Sequence, residues 1–246
     1  MAYQFVPSGT YRYSVKKGDV GNDVAVIQLN LGVTVDGNFG PKTHKAAVAW
    51  QEKYGLDPVD GIVGPDTQQS ILVEKSAAAA KAHNLPSGIL KSIAFNESGW
   101  ILAAAGRHAG DAGWDVGAYM RSSGANFPTP NSTRNYFNVE KSAEWTANHL
   151  AQTKANLGVP VNSQYLEEIG DGNKEEFAWQ LAILAHNWPY AADKIAKRGH
   201  IYDDPHRDDL PENWIIVASG GRLSTPRQWV TSYIAKATGY VRWDTI

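Results

Sequence analysis

The sequence contains no cysteine. Its absence excludes disulfide frameworks, thiol nucleophiles and thiolate metal sites together. No apolar run approaches the roughly 18 residues needed to span a bilayer, so membrane insertion is not expected. The opening MAYQFVPSGTYRYSVKKGD has no basic segment followed by an apolar core, so no secretory signal is expected. Neither sign of charge dominates. Against 25 acidic side chains stand 23 basic ones, a net charge of −2 that argues against an obligate polyanion binder and so against nucleic acid as a partner. With 43% hydrophobic and 20% charged residues, disorder is excluded as the main state. What remains is a chain of 246 residues, enough for one or two domains at about 150 residues each. It is rich in Trp (nine) and Tyr (eleven), whose faces can stack on sugars but more often fill cores.

A short repeat organises the N-terminal region. Asp36 to Thr43 reads DGNFGPKT, and Asp60 to Thr67 reads DGIVGPDT. Each copy has an Asp-Gly turn, then Gly-Pro, then Thr. Proline at a first helical position suits its fixed φ and missing N–H, so each copy predicts a turn, a link and a helix start. Val20, Val24, Ile27 and Leu31 share a helical face ahead of the first copy. Ala47, Val48 and Gln51 share another between the copies. Three short helices and two homologous loops are expected.

This stretch resembles the peptidoglycan-binding domain family that accompanies many cell-wall hydrolases. The resemblance covers about residues 14 to 73 and rests on Gly18, Gly21, Val24, Ile27, Gln28 and Leu29, then on Asp36-Gly37-Asn38-Phe39-Gly40 and Thr43. It continues through Ala47-Val48, Gln51, Gly55-Leu56, Asp60-Gly61, Val63-Gly64 and Thr67. Most of these residues are scaffold by their chemistry, glycines for turns and aliphatics for core. Binding of bacterial peptidoglycan, with Asp36, Phe39, Asp60 and Trp50 as candidate contacts, is what the resemblance implies.

The Ala-rich run EKSAAAAKA marks the expected boundary near Lys75, with one domain over 1–75 and another over 76–246. In the second, Ile89, Leu90, Ile93 and Ala94 form an apolar stripe that Glu97 extends by one turn, with Gly99 as the natural stop. A carboxyl at the end of a buried stripe loses hydration and keeps its proton, as a general acid requires. Equally, Glu97 can be a solvated residue at a helix end. Further helical faces run through Ala143, Ala147, Leu150 and Leu157, and through Phe177, Leu181, Leu184 and Trp188. A last helix is expected after Thr225-Pro226, with Trp229, Tyr233 and Ala237 on one side. No convincing alternating strands are present. The expected fold is mainly α: a small three-helix domain followed by a helical one.

Glu97-Ser98-Gly99-Trp100 resembles the catalytic segment of the lysozyme-like superfamily of soluble lytic transglycosylases and goose-type lysozymes. Trp114 to Met120 resembles a second segment of that superfamily, with Met120 where a Gln is expected. Leu184-Ala185-His186-Asn187-Trp188-Pro189 resembles its Ala-Tyr-Asn motif, and Trp229 to Ile234 resembles its C-terminal helix. The resemblance implies a peptidoglycan glycosidase, a muramidase or lytic transglycosylase, with Glu97 as acid. Asp115 and Asp111 are the candidates for a second carboxylate. Ser98, Tyr119, Asn187, Trp188 and Tyr233 are implied as substrate-binding residues, although Asn187 reads equally well as a hydrogen-bonded helix end. Trp100 and Trp114 could stack on sugar rings, whereas Trp145, Trp179 and Trp229 read as packing.

His200, Asp203, Asp204, His206, Asp208 and Asp209 form a polar cluster of residue types that bind metal, but they lack ligand spacing and read as a solvated loop. No metal or cofactor is expected. The whole resembles a modular phage endolysin, a monomer held in the host cytoplasm until it reaches the wall. The rival readings are a zinc-dependent peptidoglycan amidase or peptidase, and a non-catalytic wall-binding protein.

Overall fold

A computed structural model describes residues 3–5, 11–107, 114–122, 130–158, 166, 173–199, 216–217, 223–224 and 226–243. The fold is mainly α, as the periodicity predicts. α1 (Asn22–Leu31) buries Val24 and Ile27 and ends at Gly32, whose φ of 74° lets its N–H reach the Gln28 carbonyl. α2 (Pro41–Tyr54) and α3 (Pro65–Ala82) each begin on the proline of one repeat copy. α2 stops at Gly55, φ 62°, as α1 stops at Gly32. Val20 does not join the face predicted for it. It lies before α1 and is 62% exposed, because the chain turns at Gly21 (φ 130°) and the helix begins only afterwards.

The chain divides into two compact units, one of Met1–Ala82 with Ala94–Thr146, the other of His83–Ile93 with Ala147–Ile246. This differs from a boundary at Lys75. The Ala-rich run extends α3 to Ala82, where the first segment of the first unit ends; its high helix propensity is satisfied and Ala79 is buried. Hydrogen bonds then tie later residues to the repeat region. Gln68 Oε1 accepts from the Leu102 N–H (3.0 Å). The buried Asn30 amide donates to the Phe137 carbonyl and accepts from the Val139 N–H, each at 2.9 Å. Lys75 pairs with Glu140 at 2.8 Å.

The first unit takes the end of α4 (Ile89–Ser98) and a small antiparallel sheet of β1 (Ala105–Arg107), β2 (Trp114–Val116) and β3 (Arg121–Ser122), in that order. Asp115 sits opposite Gly106 and Ser122. Strands of two or three residues carry no readable alternation, so the sequence pattern does not announce them. α5 (Pro130–Phe137) and the first turns of α6 (Val139–Leu157) complete this unit.

The second unit is built on α7 (Lys174–Asn187), α8 (Pro189–Arg198) and α9 (Pro226–Ala237), with β4 (Ile216–Val217) paired to β5 (Leu223–Ser224). Asn173 caps α7 by accepting from the N–H groups of Glu175 (3.0 Å) and Glu176 (3.3 Å). Phe177, Leu181, Leu184, Ile195 and Ile234 form its core, so the predicted α7 stripe is buried, with Trp188 and Tyr233 packed at the margin. Trp179 is buried, as expected for packing. Trp145 is not. It is 41% exposed because it lies across α6 from the buried stripe of Ala143, Ala147 and Leu150.

Candidate functional site

The two repeat copies build the same hydrogen-bond device. Gln28, buried on α1, donates through Nε2 to Asp36 Oδ1 (2.7 Å), the Asn38 carbonyl (3.0 Å) and Thr43 Oγ1 (3.0 Å). Its Oε1 accepts from the N–H groups of Asp36 (3.0 Å) and Gly37 (2.8 Å). Gln51, buried on α2, repeats this with Asp60 Oδ1 (3.2 Å), the Ile62 carbonyl (2.9 Å), Thr67 Oγ1 (3.3 Å) and the Gly61 N–H (2.7 Å). Each Asp also accepts from the backbone two residues on, Asn38 at 2.9 Å and Ile62 at 2.8 Å. Gly37 and Gly61 have φ of 72° and 71°, the left-handed turn the Asp-Gly pair announces. One amide thus fixes each loop against the helix before it and the helix after it.

In the first copy this loop borders a cleft of about 720 Å³ lined by Gln28, Thr34, Asp36, Asn38, Lys42 and Thr43. That volume lies in the range of small-ligand sites. Thr34, Asp36, Asn38 and Lys42 are exposed. The Asn38 N–H and the Gln28 amide hold the Asp36 carboxyl below its ordinary range, with Lys42 adding to the effect. In the second copy a smaller cleft, about 450 Å³, is lined by Tyr54, Leu56, Asp57, Asp66, Ser70 and Glu74 among others.

Of the candidates predicted in this region, Asp36 and Asp60 are exposed and serve their loops as hydrogen-bond acceptors. Phe39 is fully buried and belongs to the core, so it cannot touch a ligand. Trp50 is half-buried. Its Nε1 donates to Ser70 Oγ (3.1 Å), and its ring lies 4.5 Å from that of Tyr54. Thr34 and Lys42 are cleft residues that the sequence reading misses. A signal for Lys42 is present all the same: Lys and Asp occupy the same place in GPKT and GPDT.

The candidates after the repeats fall in both units. Glu97 and Ser98 close α4 in the first unit. Glu97 is half-buried and accepts from Asn96 Nδ2 at 3.2 Å. Ser98 Oγ donates to the carbonyls of Ala94 (2.9 Å) and Ala118 (2.8 Å), so its role is to hold the α4 end against the segment after β2. Asp115 lies on β2 and is half-buried. Tyr119 is fully buried, which corrects its expected place on substrate. Its hydroxyl has no hydrogen-bond partner among the described residues, and burial pushes the phenol above its ordinary range. The Ser76 hydroxyl near it bonds the Leu72 carbonyl at 2.5 Å. Asn187, Trp188 and Tyr233 belong to the second unit. Asn187 is the exposed last residue of α7. Trp188 turns the chain into α8, its N–H on the Leu184 carbonyl at 2.7 Å, and its ring packs on the core beside Tyr233. Asp111 and the 200–209 cluster lie outside the described residues. Among the described residues, no group of three or more His, Asp or Glu could hold a metal ion.

Residues 21–71 match the family of peptidoglycan binding domains. The chain therefore carries a module similar to the peptidoglycan binding domains. A Bacillus licheniformis protein named "Probable N-acetylmuramoyl-L-alanine amidase" is 34% identical over 87 residues, 31% of this chain and 24% of the relative. The N-acetylmuramoyl-L-alanine amidase CwlM of Mycobacterium tuberculosis is 45% identical over 58 residues, 21% of this chain and 14% of the relative. The chain thus spans about a quarter or less of these relatives. These similarities overturn the expected glycosidase, because both relatives are named for cleavage of an amide bond, a different bond from the glycosidic one.

Proposed function

We propose that this protein docks on peptidoglycan through residues 21–71 and so brings the rest of the chain to the polymer. The observation that carries this reading is the coincidence of the matched stretch with the paired Gln28 and Gln51 clamps, which fix two surface loops, the first of them bordering an open cleft. A rigid loop loses little entropy on binding, and a tethered second unit meets its substrate at raised local concentration. For the activity of that remainder, the names of the relatives support an N-acetylmuramoyl-L-alanine amidase.

Co-sedimentation of the full chain with purified insoluble peptidoglycan tests the docking. The protein should pellet with the wall and be displaced by soluble wall fragments. A chain that stays in the supernatant at every wall concentration contradicts it. Analysis of the same supernatants tests the activity. New alanine amino termini support the amidase, whereas a bound protein that releases nothing is a wall-binding protein only.

A further inference from the structure

The two repeats share a backbone but not a surface. Thr34, Asn38 and Lys42 of the first correspond to Asp57, Ile62 and Asp66 of the second, while the clamp residues Gln, Asp and Thr are the same in both. The first cleft is lined by one carboxylate, Asp36, and one ammonium, Lys42. Lys42 is exposed and forms no salt bridge among the described residues. The second cleft is lined by Asp57, Asp66 and Glu74. Lys53, the cation beside it, pairs with Glu74 at 4.0 Å and bonds the Tyr54 hydroxyl at 2.6 Å. Both α2 and α3 begin on a proline at the same place, so the helix ends do not distinguish the clefts. The side chains do. An anion meets one ammonium, a hydroxyl, an amide and a single carboxylate in the first cleft, and three carboxylates with no lining cation in the second.

In peptidoglycan the sugars are uncharged and the carboxylates sit on the stem peptides. We infer that the first-repeat cleft is the module's carboxylate subsite, where Lys42, Asn38 and Thr34 receive a stem-peptide carboxylate, and that the second-repeat cleft excludes that group. The inference rests on the docking reading above and adds which portion of the polymer is held, and by which repeat. Asp36 is not the discriminating group, since Asp60 stands in its place in the second copy. It keeps the loop in shape while Lys42 supplies the attraction.

The test compares the full chain with its Lys42→Glu, Lys42→Arg and Asp66→Lys variants. Each is mixed with intact insoluble peptidoglycan, with the same material after its carboxyls have been converted to amides, and with the free peptide L-Ala-γ-D-Glu-meso-diaminopimelate. The side chains of Lys42 and Asp66 are exposed, and unchanged circular-dichroism melts confirm that the variants fold. Lys42→Glu should weaken binding to intact wall and to the peptide by about tenfold or more, the scale of one lost charge-assisted hydrogen bond. Lys42→Arg should retain binding, Asp66→Lys should not reduce it, and amidated wall should bind the parent chain more weakly than intact wall. Equal binding of amidated and intact wall, or full binding by Lys42→Glu, overturns the inference and leaves the docking reading standing. Failure of the parent chain to bind intact wall overturns the docking reading itself.

Discussion

Gln28 and Gln51 do the same work in two copies of one loop, each joining an Asp-Gly turn to a buried threonine through a single side-chain amide. Few side chains could replace them. The device needs a donor and an acceptor on one planar head, at the reach of two methylenes, inside a buried site. Alanine would leave the buried Gly37 or Gly61 N–H without its protein partner and remove one of the two donors to the Asn38 or Ile62 carbonyl. Gln28→Ala and Gln51→Ala should each lower stability by about 2–3 kcal/mol, the cost of orphaned buried polar groups. Urea unfolding followed by tryptophan fluorescence checks this, and losses under about 0.5 kcal/mol would mean the loops are held by other contacts.

Two glycines outside the repeats carry a stronger constraint. Gly117 has φ 80°, and a Cβ there would run into the Tyr136 carbonyl; Gly88 has φ 82°, and a Cβ there would meet the Tyr240 carbonyl. The obstacle is backbone in both cases and cannot rotate away. Gly117→Ala and Gly88→Ala should each cost about 2 kcal/mol or more, combining a left-handed φ with a steric clash. Gly99 has φ 61° and open space around it, so Gly99→Ala should cost visibly less. Thermal melts of the three variants give the order directly.

The acid limb of stability should depend on Asp36. Hydrogen bonds from the Asn38 N–H and the Gln28 amide hold its carboxyl below its unfolded value. A depressed folded value means that the stabilisation is present above the unfolded value, near 3.9, and is lost as pH falls through the lower folded value. Asp36→Asn should therefore lower stability near neutral pH, where the carboxylate is stabilising, and flatten the fall below about pH 4. Denaturation midpoints measured from pH 7 down to pH 2.5 check the slope. An unchanged acid limb would show that other carboxyls set it.

Much of the first 82 residues is legible in the sequence because local chemistry and fold agree there. Pro41 and Pro65 start helices, Gly32 and Gly55 end them, and the Asp-Gly pairs turn as their type requires. The apolar stripes of α4 and α7 are legible for the same reason of period. The division of the chain is not. It follows from single long-range bonds, such as Asn30 with Phe137 and Val139, that no window of sequence contains. Phe39 and Tyr119 pass for surface groups in the sequence because an aromatic beside a motif carries no mark of which way it faces. Lys42 escapes a comparison of what the repeats share, since it shows only in how they differ.

The proposed amide cleavage predicts a specific product. Digestion of purified wall by the full chain should release peptides with free alanine amino termini and leave the reducing-sugar signal at background. Labelling of new amino groups followed by mass spectrometry reads this outcome. A rise in reducing sugar with no new amino termini would contradict the amidase proposal.

Hydrogen exchange locates the bound polymer on the chain, and so tests whether the two clamped loops hold it. The full chain is compared with and without solubilised peptidoglycan fragments. Exchange should slow over residues 34–43, slow less over 57–67, and change little over 174–198. Fragments that bind yet leave 34–43 and 57–67 unchanged, or that slow only 174–198, would place the wall contact elsewhere and contradict the docking proposal.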